Sequence, residues 1–128
     1  MRELENGRTF ATVVLEIETH PKGVHVHAGS LLTVSSKSQA GDRHWYTQWI
    51  SAARQGATTC ASQLMHSGII PGCRITIHSV VGSDRDTTIN AMFCASAIAT
   101  WKGVCPDWTL PEVDDIDGRW VPYLRIQA

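Results

Sequence analysis

The sequence predicts an α+β fold: a two-layer sandwich of element order β-β-α-β-α, in which two helices cover one face of a mixed sheet. Three patterns predict it. Apolar and polar residues alternate over residues 13–18, 24–28 and 74–78, as in strands with one face in a core and the other in water. Apolar residues recur at steps of three and four from Tyr46 to Leu64, the period of a helix with one buried stripe. Residues 91–101 carry no charge and are rich in alanine, so a second helix there needs cover on two sides.

In the first strand Val13, Leu15 and Ile17 lie on one side and Val14, Glu16 and Glu18 on the other. Pro21, Lys22 and Gly23 make a turn. The second strand then turns Val24, Val26 and Ala28 inward and His25 and His27 outward, and the pair is expected to form an antiparallel hairpin. Residues 30–41 read as strand end and loop. Asp42 is a suitable N-cap for the first helix, whose stripe is Tyr46, Ile50, Ala53, Ala57, Cys60 and Leu64, with Gly68 as its stop. Gly56 costs that helix up to about 1 kcal/mol relative to alanine. Either another backbone approaches closely there, or the defect is simply tolerated.

In the third strand Ile75 and Ile77 face the core while Arg74, Thr76 and His78 face out. A short polar loop ends at Asp86, whose carboxylate is placed to accept from the first amides of the second helix. The remainder is a tail rich in Pro and Asp until Gly118, closing in a short strand where Pro122 argues for a sheet edge. The chain therefore reads as a single domain over 1–128, with a body at 9–104 and a tail at 105–128.

The 128 residues carry a net charge of -1, so no long-range field gathers nucleic acid or an anionic membrane, and such binding has to be local. No apolar run spans a membrane and the start is polar, which leads to the expectation of a soluble, cytoplasmic protein with no membrane partner. Cys60, Cys73, Cys94 and Cys105 form no C-x-x-C pair and read as reduced, buried thiols. The nucleotide-binding glycine motifs and the nucleophile elbow are all missing, so neither a cofactor nor covalent catalysis is expected.

Strand alternation nonetheless gathers His25, His27 and His78 on the open sheet face with Glu16, Glu18, Arg74 and Thr76. Imidazoles and carboxylates in that pattern suit a divalent metal, with His25, His27, His78 and Glu16 as ligands, or general acid–base work. The same pattern also describes a plain solvated face. Asp114, Asp115, Asp117 and Gly118 resemble half of a calcium loop but lack its glutamate, and read as an exposed acidic turn. Trp45 and Trp49, one helical turn apart, suit a stacking platform, a subunit interface or the core.

The segment SGIIPG, the alternating strand after it, and GSDRDTTINAMFCASAIATWK resemble domain IV of the elongation factor G-class ribosomal translocases. In that family a glycine turn leads to a strand, a tip loop and an Ala-rich helix opening on Asp and hydroxyl residues. The resemblance covers residues 9–104 and implies the ribosomal protein S5 domain 2-like fold. It further implies a domain without catalytic activity whose tip loops reach RNA in the ribosome. Carried onto this chain, the tip-loop residues are Lys37, Arg43 and His44 in the first loop and Ser83, Asp84 and Arg85 in the second. The first loop lacks the family's adjacent glycines, the second lacks its histidine, and no GTPase motif is present.

Three expectations follow. The first is a non-GTPase binding module contacting the ribosome or structured RNA through its tips. The second is a small metal-dependent enzyme or ligand-binding protein using the histidine face. The third is a self-associating structural domain, a homodimer built on the uncharged second helix and the tryptophans.

Overall fold

The computed structural model describes residues 2–6, 9–36, 44–82, 87–107, 112–116 and 119–123, with side-chain surroundings for residues 11–35, 46–82 and 87–107. In chain order the elements are β1 (Arg2–Asn6), β2 (Thr9–Thr19), β3 (Gly23–Ser36), α1 (His44–His66), β4 (Gly72–Gly82), α2 (Ile89–Val104), β5 (Glu112–Ile116) and β6 (Arg119–Tyr123). The architecture is α+β: a mixed sheet with two helices on one face. Two elements were not read from the sequence. The polar start supplies β1, an edge strand, and the tail pairs β5 with β6 in a sheet of its own instead of adding a single strand to the body.

The main sheet has the order β1-β2-β4-β3. β2 runs antiparallel to both β1 and β4, whereas β3 and β4 are parallel and are joined through α1. The expected hairpin of β2 with β3 is therefore wrong, because β4 lies between them. Alternation fixes which face each strand buries but not which strand is its neighbour. The turn itself is built for this arrangement. The His20 amide donates to the Gly72 carbonyl at 3.2 Å, so the turn wraps the first residue of β4. A Cβ at Gly72 would stand 2.7 Å from the Gly23 nitrogen and 2.9 Å from the His20 carbonyl oxygen, which only glycine avoids.

One contiguous core joins the sheet to both helices. Val13 and Leu15 of β2 and Ile75, Ile77 and Val80 of β4 meet Trp49, Ala53 and Ala57 of α1 and Ala91, Met92, Ala95 and Ala99 of α2. The inward and outward residues of β2 and β4 fall as the alternation predicts; Ala28 in β3 is exposed instead, next to a break in register between Ala28 and Thr33. The α1 stripe is rotated from its expected line, with Trp49, Ala52 and Ala61 buried and Tyr46 and Ile50 only half-buried.

Small residues let the helices touch. A Cβ at Gly56 would lie 2.9 Å from the Phe93 carbonyl carbon and closer still to its oxygen, so the close-approach reading of Gly56 holds. Beside it the buried Ser96 hydroxyl donates to the Ala53 carbonyl at 2.5 Å, tying α2 to α1. Cys60, Leu64, Ala97, Trp101 and Cys105 continue the contact as a second cluster.

Gly68 ends α1 as expected, with φ +79°. The Gly68 amide donates to the Met65 carbonyl and the Ile69 amide to the Leu64 carbonyl, both at 3.0 Å, and Ile69 packs on the Leu64 cluster, which together make a Schellman ending. The α2 cap differs from expectation. Thr88, not Asp86, is the N-cap, and its hydroxyl accepts from the Ala91 amide at 2.9 Å. Asp86, like the proposed cap Asp42, lies outside the described residues.

Residues 91, 92 and 94–101 of α2 are buried. The cover comes from α1, β2, β1 and β6, so the surface expected to mediate self-association is occupied within the chain. Trp49 and Trp101 are buried too, which removes Trp49 from any stacking platform, while the Trp45 side chain lies outside the described residues.

Candidate functional site

Two places merit attention: the uncovered face of the sheet and the end where β3 and β4 finish. On the face, the registers align two cross-strand rows, Glu16 with Thr76 and His27, and Glu18 with Arg74 and His25. The expected residues are therefore brought onto one surface, but as separate pairs. His78 Nε2 lies 3.0 Å from Glu16 Oε2, an ion pair when the imidazole is protonated. The Thr76 hydroxyl lies 3.3 Å from His27 Nε2.

His25 looks away from both pairs. Its Nε2 lies 3.3 Å from the Lys22 carbonyl oxygen, and its ring meets that of His20 edge-on, with centroids 4.6 Å apart. Among the described residues no group of three or more His, Cys, Asp or Glu side chains is arranged to hold a metal ion. The four expected ligands divide instead into a His78–Glu16 pair and two histidines with other partners.

Irregularity in the ladders makes the His78 pair. Register breaks between Val14 and Leu15 and between Ala28 and Thr33 flank it on both sides. A Cβ on Gly29 would lie 3.2 Å from His78 Nδ1, from the Ile77 carbonyl oxygen and from Thr76 Cγ2. The imidazole of β4 thus reaches a carboxylate of β2 with one nitrogen and rests over the bare backbone of β3 with the other. Sequence reasoning missed Gly29 and His20. The only available signals were a glycine interrupting an alternating strand and a histidine preceding proline.

At the strand ends, Ser36 and Gly82 are register partners in parallel strands, and Gly82 also pairs with Ala11 at the start of β2. The last described residues of β3 and β4 are therefore neighbours. Lys37, Arg43, Ser83, Asp84 and Arg85 lie outside the described residues; His44 is the first residue of α1, and its side chain is likewise not described. The side chains of Asp114 and Asp115, in β5, and residues Asp117 and Gly118 lie outside as well. Under this end sits Trp49, 1% exposed, whose indole N–H has no partner among the described residues. Tyr46 is its aromatic neighbour at 5.5 Å.

The chain matches no family model, no curated protein and no solved structure. Chemistry must be judged from the groups themselves. All four cysteines are buried, and none is bridged in a disulfide. Burial pushes the Cys60 and Cys94 thiols up to about 12, Cys60 being raised further by neighbouring Cys105 and Cys73, and also raises Cys73 and Cys105. None is a nucleophile at neutral pH. An open groove of about 720 Å³ runs along the outer side of α1, lined in part by Arg54, Thr58 and Phe93. Arg54 sends its guanidinium to the Val26 carbonyl oxygen at 3.5 Å. No helix among the described residues is long and apolar enough to cross a membrane.

Proposed function

We propose that this chain is a non-enzymatic binding module of the translocase domain IV type, which engages structured RNA, on or off the ribosome, through the sheet end where β3 and β4 finish. One observation carries the reading. Ser36 and Gly82 are neighbours on parallel strands, so the segments holding Lys37, Arg43 and Arg85 begin side by side. Ser83 and Asp84 follow Gly82 in the sequence, and His44 opens α1. The two-layer arrangement fits the fold that the family resemblance implies, and buried thiols and paired face residues leave no activated nucleophile among the described residues.

Three cations set against Asp42, Asp84 and Asp86 give modest, salt-sensitive affinity; three phosphate contacts correspond to a slope of log K against log salt of about -2 to -3. Co-sedimentation with ribosomes and with transfer RNA across a salt series tests this. Binding should fall with that slope and be lost in an Arg43→Ala, Arg85→Ala double variant; binding that ignores both salt and the substitutions refutes it.

A second reading, ligand binding on the open face, is favoured by the His78 ring held between Glu16 and Gly29. It takes a polar ligand rather than a chelated metal, since among the described residues one carboxylate and one imidazole converge there. Nuclear magnetic resonance of the His78 ring during a metabolite screen tests it. Shifts confined to His78, Glu16 and Thr76 support this reading, and an unresponsive face removes it.

A further inference from the structure

We propose that the turn between β2 and β3 binds a borderline divalent cation, zinc or copper, through His20, His25 and the Lys22 carbonyl oxygen. Both rings converge on that one oxygen: His20 Nδ1 lies 2.9 Å from it and His25 Nε2 lies 3.3 Å from it. The ring centroids are 4.6 Å apart, with the planes at 62°. Two imidazole nitrogens and one main-chain oxygen thus surround a single point.

The spacing suits an ion. Ligand atoms about 2.0–2.2 Å from one metal stand about 2.8–3.6 Å from each other, shorter at octahedral and longer at tetrahedral angles. Both measured separations fall in that range, and a small rotation of each ring turns its lone pair onto the shared point. Hydrogen bonding alone does not close this corner. His20 Nδ1 also lies 3.3 Å from the Lys22 amide nitrogen, and one ring nitrogen cannot donate to the carbonyl and accept from the amide at once.

The backbone holds these donors in place before any ion arrives. The His20 amide is tied to the Gly72 carbonyl, Gly23 turns the chain with φ +80°, and Pro21 between them has its own φ fixed by its ring. Lys22 and His25 are exposed and His20 is half-buried, so an ion enters from solution and water completes its shell. Glu18 and Arg74 share the row of His25 and offset each other's charge. Imidazole donors select zinc, copper or nickel, whereas magnesium and calcium require oxygen ligands throughout.

His20 follows β2 and His25 belongs to β3, with β4 between the two strands. An ion shared by the histidines is therefore a clip across the start of β4, present only in the folded chain. At 100 times its dissociation constant it would raise the folded-to-unfolded ratio about 100-fold. The clip lies at the opposite end of β3 and β4 from Ser36 and Gly82, and so stands independently of the RNA reading.

Titration calorimetry of the untagged, reduced chain with zinc chloride tests the site. One equivalent should bind with micromolar affinity, and magnesium chloride should give no saturable heat. His20→Ala and His25→Ala should each weaken zinc by about tenfold or more, while His78→Ala should bind as the parent does. Zinc should also raise the thermal midpoint of the parent but not of His25→Ala, whose own transition reports that it is folded. In the unaltered chain, substoichiometric copper(II) should broaden the amide resonances of residues 20–25 before all others. Absence of saturable zinc binding, affinity unchanged in both alanine variants, or copper broadening centred on His78 overturns the proposal.

Discussion

Replacing Gly56 with alanine pits two effects of opposite sign against each other at one atom. In an isolated helix the change stabilises by about 1 kcal/mol, because glycine is the poorer helix former. Here the added methyl meets the Phe93 carbonyl, its carbon at 2.9 Å and its Cα at 3.2 Å, and these are backbone atoms that no rotamer change can move. The helices must separate. Overpacking of this kind costs about 1–3 kcal/mol. Separation also stretches the Ser96 to Ala53 hydrogen bond beside it, worth about 1 kcal/mol. The balance is a net loss of about 1–3 kcal/mol, or roughly 4–12 °C in midpoint for a domain of this size. Urea unfolding, followed by circular dichroism at constant m-value, measures it. A Gly56→Ala variant as stable as the parent, or more so, would refute the claim that the helices are in backbone contact.

Other perturbations address the caps, the lock between helices and the thiols. Thr88→Ala should cost about 1 kcal/mol by freeing the Ala91 amide, and Thr88→Ser should restore most of it in the same unfolding assay. Gly68→Ala should cost about 1 kcal/mol through backbone strain alone, since φ is +79° and no atom lies within 4 Å of the new Cβ; a stabilised variant would contradict that conformation. Ser96→Ala should lose about 1 kcal/mol of stability by removing the hydroxyl that α2 gives to Ala53, and a neutral result would discount that bond. The Cys60 and Cys94 thiols should resist a disulfide reagent at neutral pH until the chain unfolds. Their folded values are raised from 9.0 to about 12, so the stability they contribute is complete below pH 9.0 and is lost as pH climbs toward about 12. Native-state labelling as fast as that of the unfolded chain would refute their burial.

Each strand's buried face was legible in the sequence because one residue in two must be apolar, and β2 and β4 obey that rule. Neighbour identity was not legible, because a parallel crossover and a hairpin bury the same residues; β4 entering between β2 and β3 changes pairing without changing alternation. Helix endings were legible where backbone geometry demands a particular residue, as at Gly68. They were less so where several residues compete for one role, as with Asp86 and Thr88. On the open face, alternation placed the histidines correctly on one surface but could not foresee two breaks in register. These breaks decide that His78 meets Glu16, whereas His27 meets its direct register partner Thr76. The tryptophans were ambiguous for a similar reason: spacing locates Trp49 near the apolar stripe, and only the rotation of α1 settles that it is inside.

The insertion of β4 has a consequence for how this protein is made. A nascent chain that has emerged from the ribosome only as far as the end of α1 holds β2 and β3 with a vacant lane between them, and both strands' inner edges are unfilled. Synthesis must reach residue 82 before any β2–β4 or β3–β4 ladder can be complete. Until then the early half carries unpaired strand edges, the kind of surface that makes incompletely folded chains prone to aggregate.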